Sequence, residues 1–384
     1  MNSRYHHDVI IIGGGPAGSM AALYLSKYGL NTCIIEKKKF PREVLCGEFL
    51  SGEVTKTLKE LNLFESFLSL NPVKISKFKF INEKSTEISS ELDFPAYALK
   101  RSIFDHFLLK SAVNNGVKVY QPAEAKIIKR DGDKFLVHIK VSDDQEIIIN
   151  SDYVIAAYGK QNILDKKLNR SFIGSETELK AIKFHIPNTC ISNFPTDEIR
   201  IYTGEGIYCG LNRVSDQETT LCFIEKRINS EQSPRNRILN LINTNRSFGK
   251  LFGKEFEKLL YELTIYGTGK IFFGKKTIVE NGMFMVGDAA GVIAPLTGDG
   301  VGMAVQSAKL ISSLLAEQKN KKYTRKELED IYLSEWNKLF LYRIRIAIFI
   351  QKLIITKMMN YFSFSLVKFF PFVLPKLIHA TRGI

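Results

Sequence analysis

Residues 8–36 constrain this chain of 384 residues more than any other stretch. Residues 9–12 form a short, β-branched apolar run, the pattern of a strand buried on both faces. Gly13, Gly15 and Gly18 follow in G-x-G-x-x-G spacing, and residues 17–27 carry a helix pattern. A second apolar run, residues 32–35, ends at Glu36. The stretch therefore predicts β-α-β, with glycines in the first turn and a carboxylate at the tip of the second strand. Gly13 permits the tight turn, Gly15 lets the backbone close on a pyrophosphate, and Gly18 lets helix and strand pack closely. Pro16 and Ala17 open the helix, whose free N–H groups face the phosphates. Glu36 is placed to accept hydrogen bonds from ribose hydroxyls. A glycine pattern alone is weak evidence; with strand, helix and acid in place it predicts a bound dinucleotide.

The length allows two domains, or one large domain with insertions. The net charge is +14, and it is unevenly spread. From Trp336 onward the chain has no Asp or Glu, while eight residues there are Lys or Arg. The rest lacks a basic stripe interleaved with aromatics, which argues against a nucleic-acid partner. Five scattered cysteines include no C-x-x-C, so neither a zinc site nor a dithiol pair is indicated. The first apolar run is too short for a signal peptide, and a cytoplasmic setting is expected.

Further along, residues 51–61 and 100–114 read as helices and residues 74–88 as a half-exposed strand pair. Residues 125–139 read as two strands joined at Asp131-Gly132, followed by strands at 146–149 and 153–157. Residues 179–225 alternate as a separate antiparallel sheet, and residues 238–260 look helical. At Gly282 the α/β pattern returns, with an apolar strand leading into Gly287-Asp288 and a loop holding Pro295, Gly298 and Gly300. A carboxylate at the end of a buried strand, facing a glycine-rich helix start, suits a polyol phosphate and an electron-deficient ring. Asp288 can accept from ribityl hydroxyls, and the N–H groups of Gly300 and Val301 can offset charge on a reduced flavin.

Taken together, these segments resemble the FAD-dependent oxidoreductases of the p-hydroxybenzoate hydroxylase and geranylgeranyl reductase superfamily. The resemblance runs from Asp8 to about Leu315. It adds Arg42 and the Cys46-Gly47-Glu48 loop, which is similar to the family's loop beside the flavin, and Arg101, which matches an arginine near the FAD phosphates. Lys37, after Glu36, joins the expected cofactor contacts. The implied fold is α/β, with a Rossmann-type FAD-binding domain built from discontinuous segments (1–72, 96–172 and 266–320). Residues 73–95 and 173–265 are expected to cap the substrate, and residues 321–384 to form a helical, basic and apolar tail.

The resemblance implies FAD as cofactor, with NAD(P)H or a reduced electron carrier as donor. It also implies a lipophilic or aromatic substrate, to be hydroxylated or reduced at a double bond. Tyr158-Gly159 stands where many hydroxylases of the group carry Asp-Gly, and the Cys46 loop is closer to the reductase branch. A single tryptophan, Trp336, argues against halogenation. Cys46 is a candidate proton donor and Glu48 a candidate general acid or base. A sheet histidine already satisfied by hydrogen bonds is the better reading of His185. The alternative function is a non-catalytic binder of prenylated proteins or lipids, which would need no cofactor. The tail suits either an anionic membrane surface or packing on the core, because its charges break every apolar run of spanning length.

Overall fold

The computed structural model describes residues 6–141, 145–160, 163–175, 177–204, 206–226, 233–269, 271–320, 322–356, 364, 367, 369 and 373–382. Two eight-stranded sheets carry the fold. The spine of the first runs, in spatial order, Val279–Glu280, Met283–Met285, Gln145–Ala156, His6–Ile12, Thr32–Ile35 and Lys118–Tyr120. From Met283–Met285 to Lys118–Tyr120 every pairing is parallel, with Met285 opposite Ala156, Ile12 opposite Ala156 and Ile35, and Ile35 opposite Tyr120. These strands therefore end level. The loops that follow them, carrying Gly13, Glu36 and Asp288, emerge at one carboxyl edge, where open α/β sheets bind ligands. Helix Pro16–Lys27 packs against Arg101–Asn114 and Gly300–Gln318.

Residues 146–149 and 153–157, which read as separate strands, fall mostly in one twelve-residue strand, Gln145–Ala156. Its first half pairs with the hairpin Ala123–Asp131 and Lys134–Val141, and its second half with His6–Ile12.

The second sheet runs Tyr266–Thr268, Leu179–Pro187, Glu218–Lys226, Ile207–Arg213, Glu198–Gly204, Val73–Ile81, Glu87–Ala98 and Phe49–Leu50. All its pairs are antiparallel except Glu198–Gly204 beside Val73–Ile81, which is parallel. Those two strands come from separate excursions of the chain, so no tight turn obliges them to run in opposite directions. Side chains alternate across the sheet. Cys209, Leu211, Leu221 and Phe223 share a core with residues of helices Pro234–Thr244, Arg246–Gly249 and Phe256–Glu262. Tyr208, Gly210, Cys222 and Ile224 face a cavity on the other side.

The tail begins with helix Arg325–Ile355, started by a capping box between Thr324 and Glu327. Tyr332, Trp336 and Phe340 join the α/β core, and Ile354 joins the cluster on the cavity face of the second sheet. A short helix, Val373–Ala380, follows. Among the described residues no helix is long and apolar enough to cross a membrane. Lys357, Lys368 and Pro371 of the tail lie outside the described residues.

Candidate functional site

A cavity of about 1410 Å³ opens at the carboxyl edge of the first sheet and continues under the second. Every residue singled out for the cofactor or for catalysis lines it, except Gly18 and Gly287. Those two explain themselves by packing. A Cβ on Gly18 would sit 1.8 Å from the Gly13 carbonyl oxygen, and one on Gly287 would sit 3.0 Å from the Cβ of Ala17. Gly287 thus brings the second glycine-rich segment against the start of the first helix.

At the first turn, Gly13 has φ +105°, and a Cβ there would lie 2.5 Å from the Ala157 carbonyl oxygen. Gly15 is different. A Cβ there would meet nothing nearer than the Arg42 guanidinium at 3.6 Å, so the protein alone does not demand glycine. Arg42 Nε is buried with no hydrogen-bond partner and stands 4.0 Å from the Glu36 carboxylate. An open backbone cradle and a guanidinium whose Nε lacks a hydrogen bond, beside a helix N-terminus, are the features a pyrophosphate would fill. The residues present therefore fit the phosphates of FAD.

Glu36 is buried and accepts from the N–H of Gly14 at 2.7 Å and of Lys38 at 2.8 Å. Those bonds fix its carboxylate at the strand tip. Lys37 points its ammonium to Glu124 at 2.9 Å. Arg101 is gripped by Asp105 one turn on, at 2.6 and 2.9 Å, and Arg42 approaches the same carboxylate at 3.7 Å. One buried aspartate thus orients both arginines.

The second motif is held from behind. Arg170, buried, donates to the carbonyl oxygens of Ala289 at 2.9 Å and Thr277 at 2.7 Å, and to Asp165 at 3.0 Å. Tyr158 Oη donates to the same Asp165 at 2.8 Å. Lys276 donates to the carbonyl oxygen of Asp288 at 3.0 Å and lies over the Phe172 ring. Burial pulls the Lys276 ammonium down to about 8, against the raising pull of Asp288 and Asp165. Tyr158, Arg170 and Lys276 were not marked out by sequence reasoning as supports of this loop. The signal was Tyr158 standing where an aspartate is usual.

The Cys46-Gly47-Glu48 loop rests on a buried charged cluster. Glu48 is fully buried with φ +60°, outside the range most side chains adopt. Its carboxylate accepts from Lys183 Nζ at 3.0 Å, His185 Nε2 at 2.7 Å, the Arg101 N–H at 3.0 Å and the Thr220 hydroxyl. Burial alone would raise its pKa. The His185 bond and the Lys183 charge outweigh that and hold the carboxyl down at about 2. Lys183, itself buried, also donates to Glu43 at 2.8 Å. Glu43, Glu48 and His185 stand close enough to share a metal ion, but the Lys183 ammonium already bonds both carboxylates. Glu48 in this setting is an ionised anchor with no proton to give. Its backbone N–H donates to Cys46 Sγ at 3.3 Å, which places the thiol at the cavity wall.

Beyond the loop the cavity wall turns apolar. Phe78, Phe80, Ile201 and Ile224 come from the second sheet, and Ile350, Leu353 and Leu377 from the tail. Sequence reasoning did not place the tail at the site. The tail is pinned there by buried charge: Arg343 bonds Asp299 and Glu53, and Arg382 donates to the Thr297 carbonyl oxygen at 2.8 Å.

The sequence pattern of the family described as "FAD binding domain" matches residues 6–245. The chain belongs to this family. It is 28% identical over 335 residues to a digeranylgeranylglycerophospholipid reductase of Methanosphaera stadtmanae, covering 84% of this chain and 81% of that one. It is 33% identical over 168 residues to a 1H-pyrrole-2-carbonyl-[peptidyl-carrier protein] brominase of Pseudoalteromonas luteoviolacea, over 44% of this chain and 41% of the relative. Among solved structures, a geranylgeranyl bacteriochlorophyll reductase-like protein of Thermoplasma acidophilum has the same fold. Its TM-score is 0.74 at 21% identity, over 91% of this chain and 88% of that chain. The expected superfamily, with its parallel sheet, second sheet and C-terminal helices, is the one found.

Proposed function

We propose that this FAD-binding-domain protein reduces carbon–carbon double bonds in a long lipophilic substrate of polyprenyl type. The observation that carries the reading is the cavity itself. It starts at a dinucleotide cradle, passes Cys46, and continues between apolar walls of the second sheet and the tail. An alkyl or prenyl chain gains about 25 cal/mol for each Å² of apolar surface it buries there. The name and the extent of the reductase relative support the same reading.

Gly13 to Ala17, Arg42 and Arg101 would hold the pyrophosphate, Glu36 the adenosine ribose, and Asp288 the ribityl chain. The backbone N–H groups of Gly300 and Val301 would face the ring. Bound FAD supplies the two-electron chemistry, with NAD(P)H or a reduced electron carrier as the source of electrons. A double bond that receives hydride at one carbon needs a proton at the other. Cys46 Sγ is placed to hold that proton at the cavity wall, and the Glu48 N–H stabilises the thiolate left behind. Glu48 then acts as a positioning residue. A retained cofactor cradle sets this reading above the non-catalytic lipid binder, for which Gly15 and the free Arg42 Nε would have no use.

The test is anaerobic incubation of the FAD-loaded protein with dithionite and a polyprenyl lipid, followed by mass spectrometry. Reduction adds two hydrogens per double bond without oxygen, and Cys46→Ala slows it by roughly 100-fold, within the usual range for a lost proton donor. A product that carries one extra oxygen atom, and forms only in air, would make the protein a monooxygenase instead.

A further inference from the structure

Helix Arg325–Ile355 shows three parallel rows on its outward side. Lys338, Arg345 and Lys352 are seven residues apart, nearly two whole turns, so they stack along one stripe. All three are exposed. Tyr342 and Phe349, again seven apart, form the next row and are 65% and 61% exposed. Ile346 and Leu353 form the third row, and they line the cavity. The order around the helix is cation, aromatic ring, cavity wall. The opposite side, with Tyr332, Trp336, Phe340 and Ile344, is buried in the core, so the helix cannot turn these rows inward.

Lys338 is paired with Glu335 at 2.6 Å, whereas Arg345 and Lys352 have no carboxylate partner among the described residues. No acid follows Glu335 in the chain. The exposed aromatic rings are costly against water, and with the unpaired cations beside them they suit an anionic, half-apolar surface. A protein partner would need a matching acidic groove, whereas a bilayer rich in acidic phospholipid offers both properties along its whole plane.

We propose that this face docks on an anionic phospholipid surface. Lys338, Arg345 and Lys352 lie among the headgroups, and Tyr342 and Phe349 dip to the acyl boundary. The row of Ile346 and Leu353 then faces the bilayer side of the cavity, so a lipid chain passes into it without crossing water. The docking stands on the helix alone; only what enters the cavity rests on the function proposed above.

Flotation of the full-length, FAD-loaded protein with vesicles tests this. The vesicles are phosphatidylcholine alone, and phosphatidylcholine with phosphatidylglycerol. Binding is expected to the second kind and to weaken with added salt. The variant Arg345→Gln/Lys352→Gln should partition roughly 30-fold more weakly, the loss expected for two basic charges at the surface. Tyr342→Ser should weaken binding to the same vesicles. Flavin content and melting temperature, which these exposed changes leave unaltered, report the fold. Failure of the wild type to float, or equal flotation of the variants, overturns the proposal. So does a dimer that Tyr342→Ser dissociates, since the face would then belong to a second copy of the chain. Turnover of lipid dispersed in detergent is read separately, so loss of docking and loss of the proposed activity are distinguishable.

Discussion

Glu48→Ala lowers the unfolding free energy by about 3–5 kcal/mol, the cost of removing one partner from a buried ion pair. The loss has a named source. Lys183 keeps Glu43 but loses its bond to Glu48, while the donors of His185, Thr220 and the Arg101 N–H lose a shared acceptor. Glu48→Gln keeps the shape and one acceptor oxygen, and should cost about 1–3 kcal/mol. Urea denaturation of the three proteins checks the order. The same carboxylate sets a pH dependence. Its pKa is depressed in the fold from 4.5 to about 2, so its stabilisation is fully present above about 4.5. It is lost as pH falls from there through about 2, and the Glu48→Gln protein should lack that part of the acid transition.

Gly15→Val weakens FAD binding by about 100-fold or more and leaves the apoprotein folded. The valine Cβ has room, since its nearest neighbour is the movable Arg42 guanidinium at 3.6 Å. Its methyl groups, however, stand where phosphate oxygens must approach the helix N-terminus. Losing about two charge-assisted hydrogen bonds, roughly 1.5–3 kcal/mol each, weakens binding by about 100-fold or more. Gly18→Val behaves otherwise. A Cβ 1.8 Å from the Gly13 oxygen forces helix and turn apart, so that variant loses stability along with FAD. Thermal melts of the two apoproteins separate a ligand-facing glycine from a packing glycine.

These contrasts show which parts of the site a sequence displays. Gly13, Gly15, Gly18 and Glu36 are legible because one β-α-β unit holds them, and the register of that unit follows from local pattern. Asp288 is legible because its strand, turn and helix are local as well. That it meets the first motif follows from the level ends of Met283–Met285, Gln145–Ala156 and His6–Ile12, a matter of sheet order. The anchor beneath Cys46 is not legible. Glu48 and Lys183 lie 135 residues apart, and nothing short of the fold joins them. A trace did exist: Lys183 and His185, two residues apart in the otherwise apolar run 181–186 of strand Leu179–Pro187, demand a buried acid. His185 was readable as a satisfied histidine, and Glu48 is the partner that satisfies it. The arrangement of the tail is hidden for a related reason. Its basic residues look scattered along the sequence. Yet Arg343 turns inward to Asp299 and Glu53, while Lys338, Arg345 and Lys352 turn outward together.

That a single FAD spans both motifs is tested most directly by calorimetric titration of the Asp288→Ala apoprotein with FAD and, separately, with ADP. ADP reaches only the cradle of Gly13 to Gly18, Glu36 and Arg42, so its affinity should match that of the wild type. FAD should bind roughly 10-fold or more weakly, because hydrogen bonds to a charged carboxylate are worth about 1.5–3 kcal/mol each. Unchanged FAD affinity, or an equal loss for both ligands, would contradict a cofactor stretched between the two ends of the cavity.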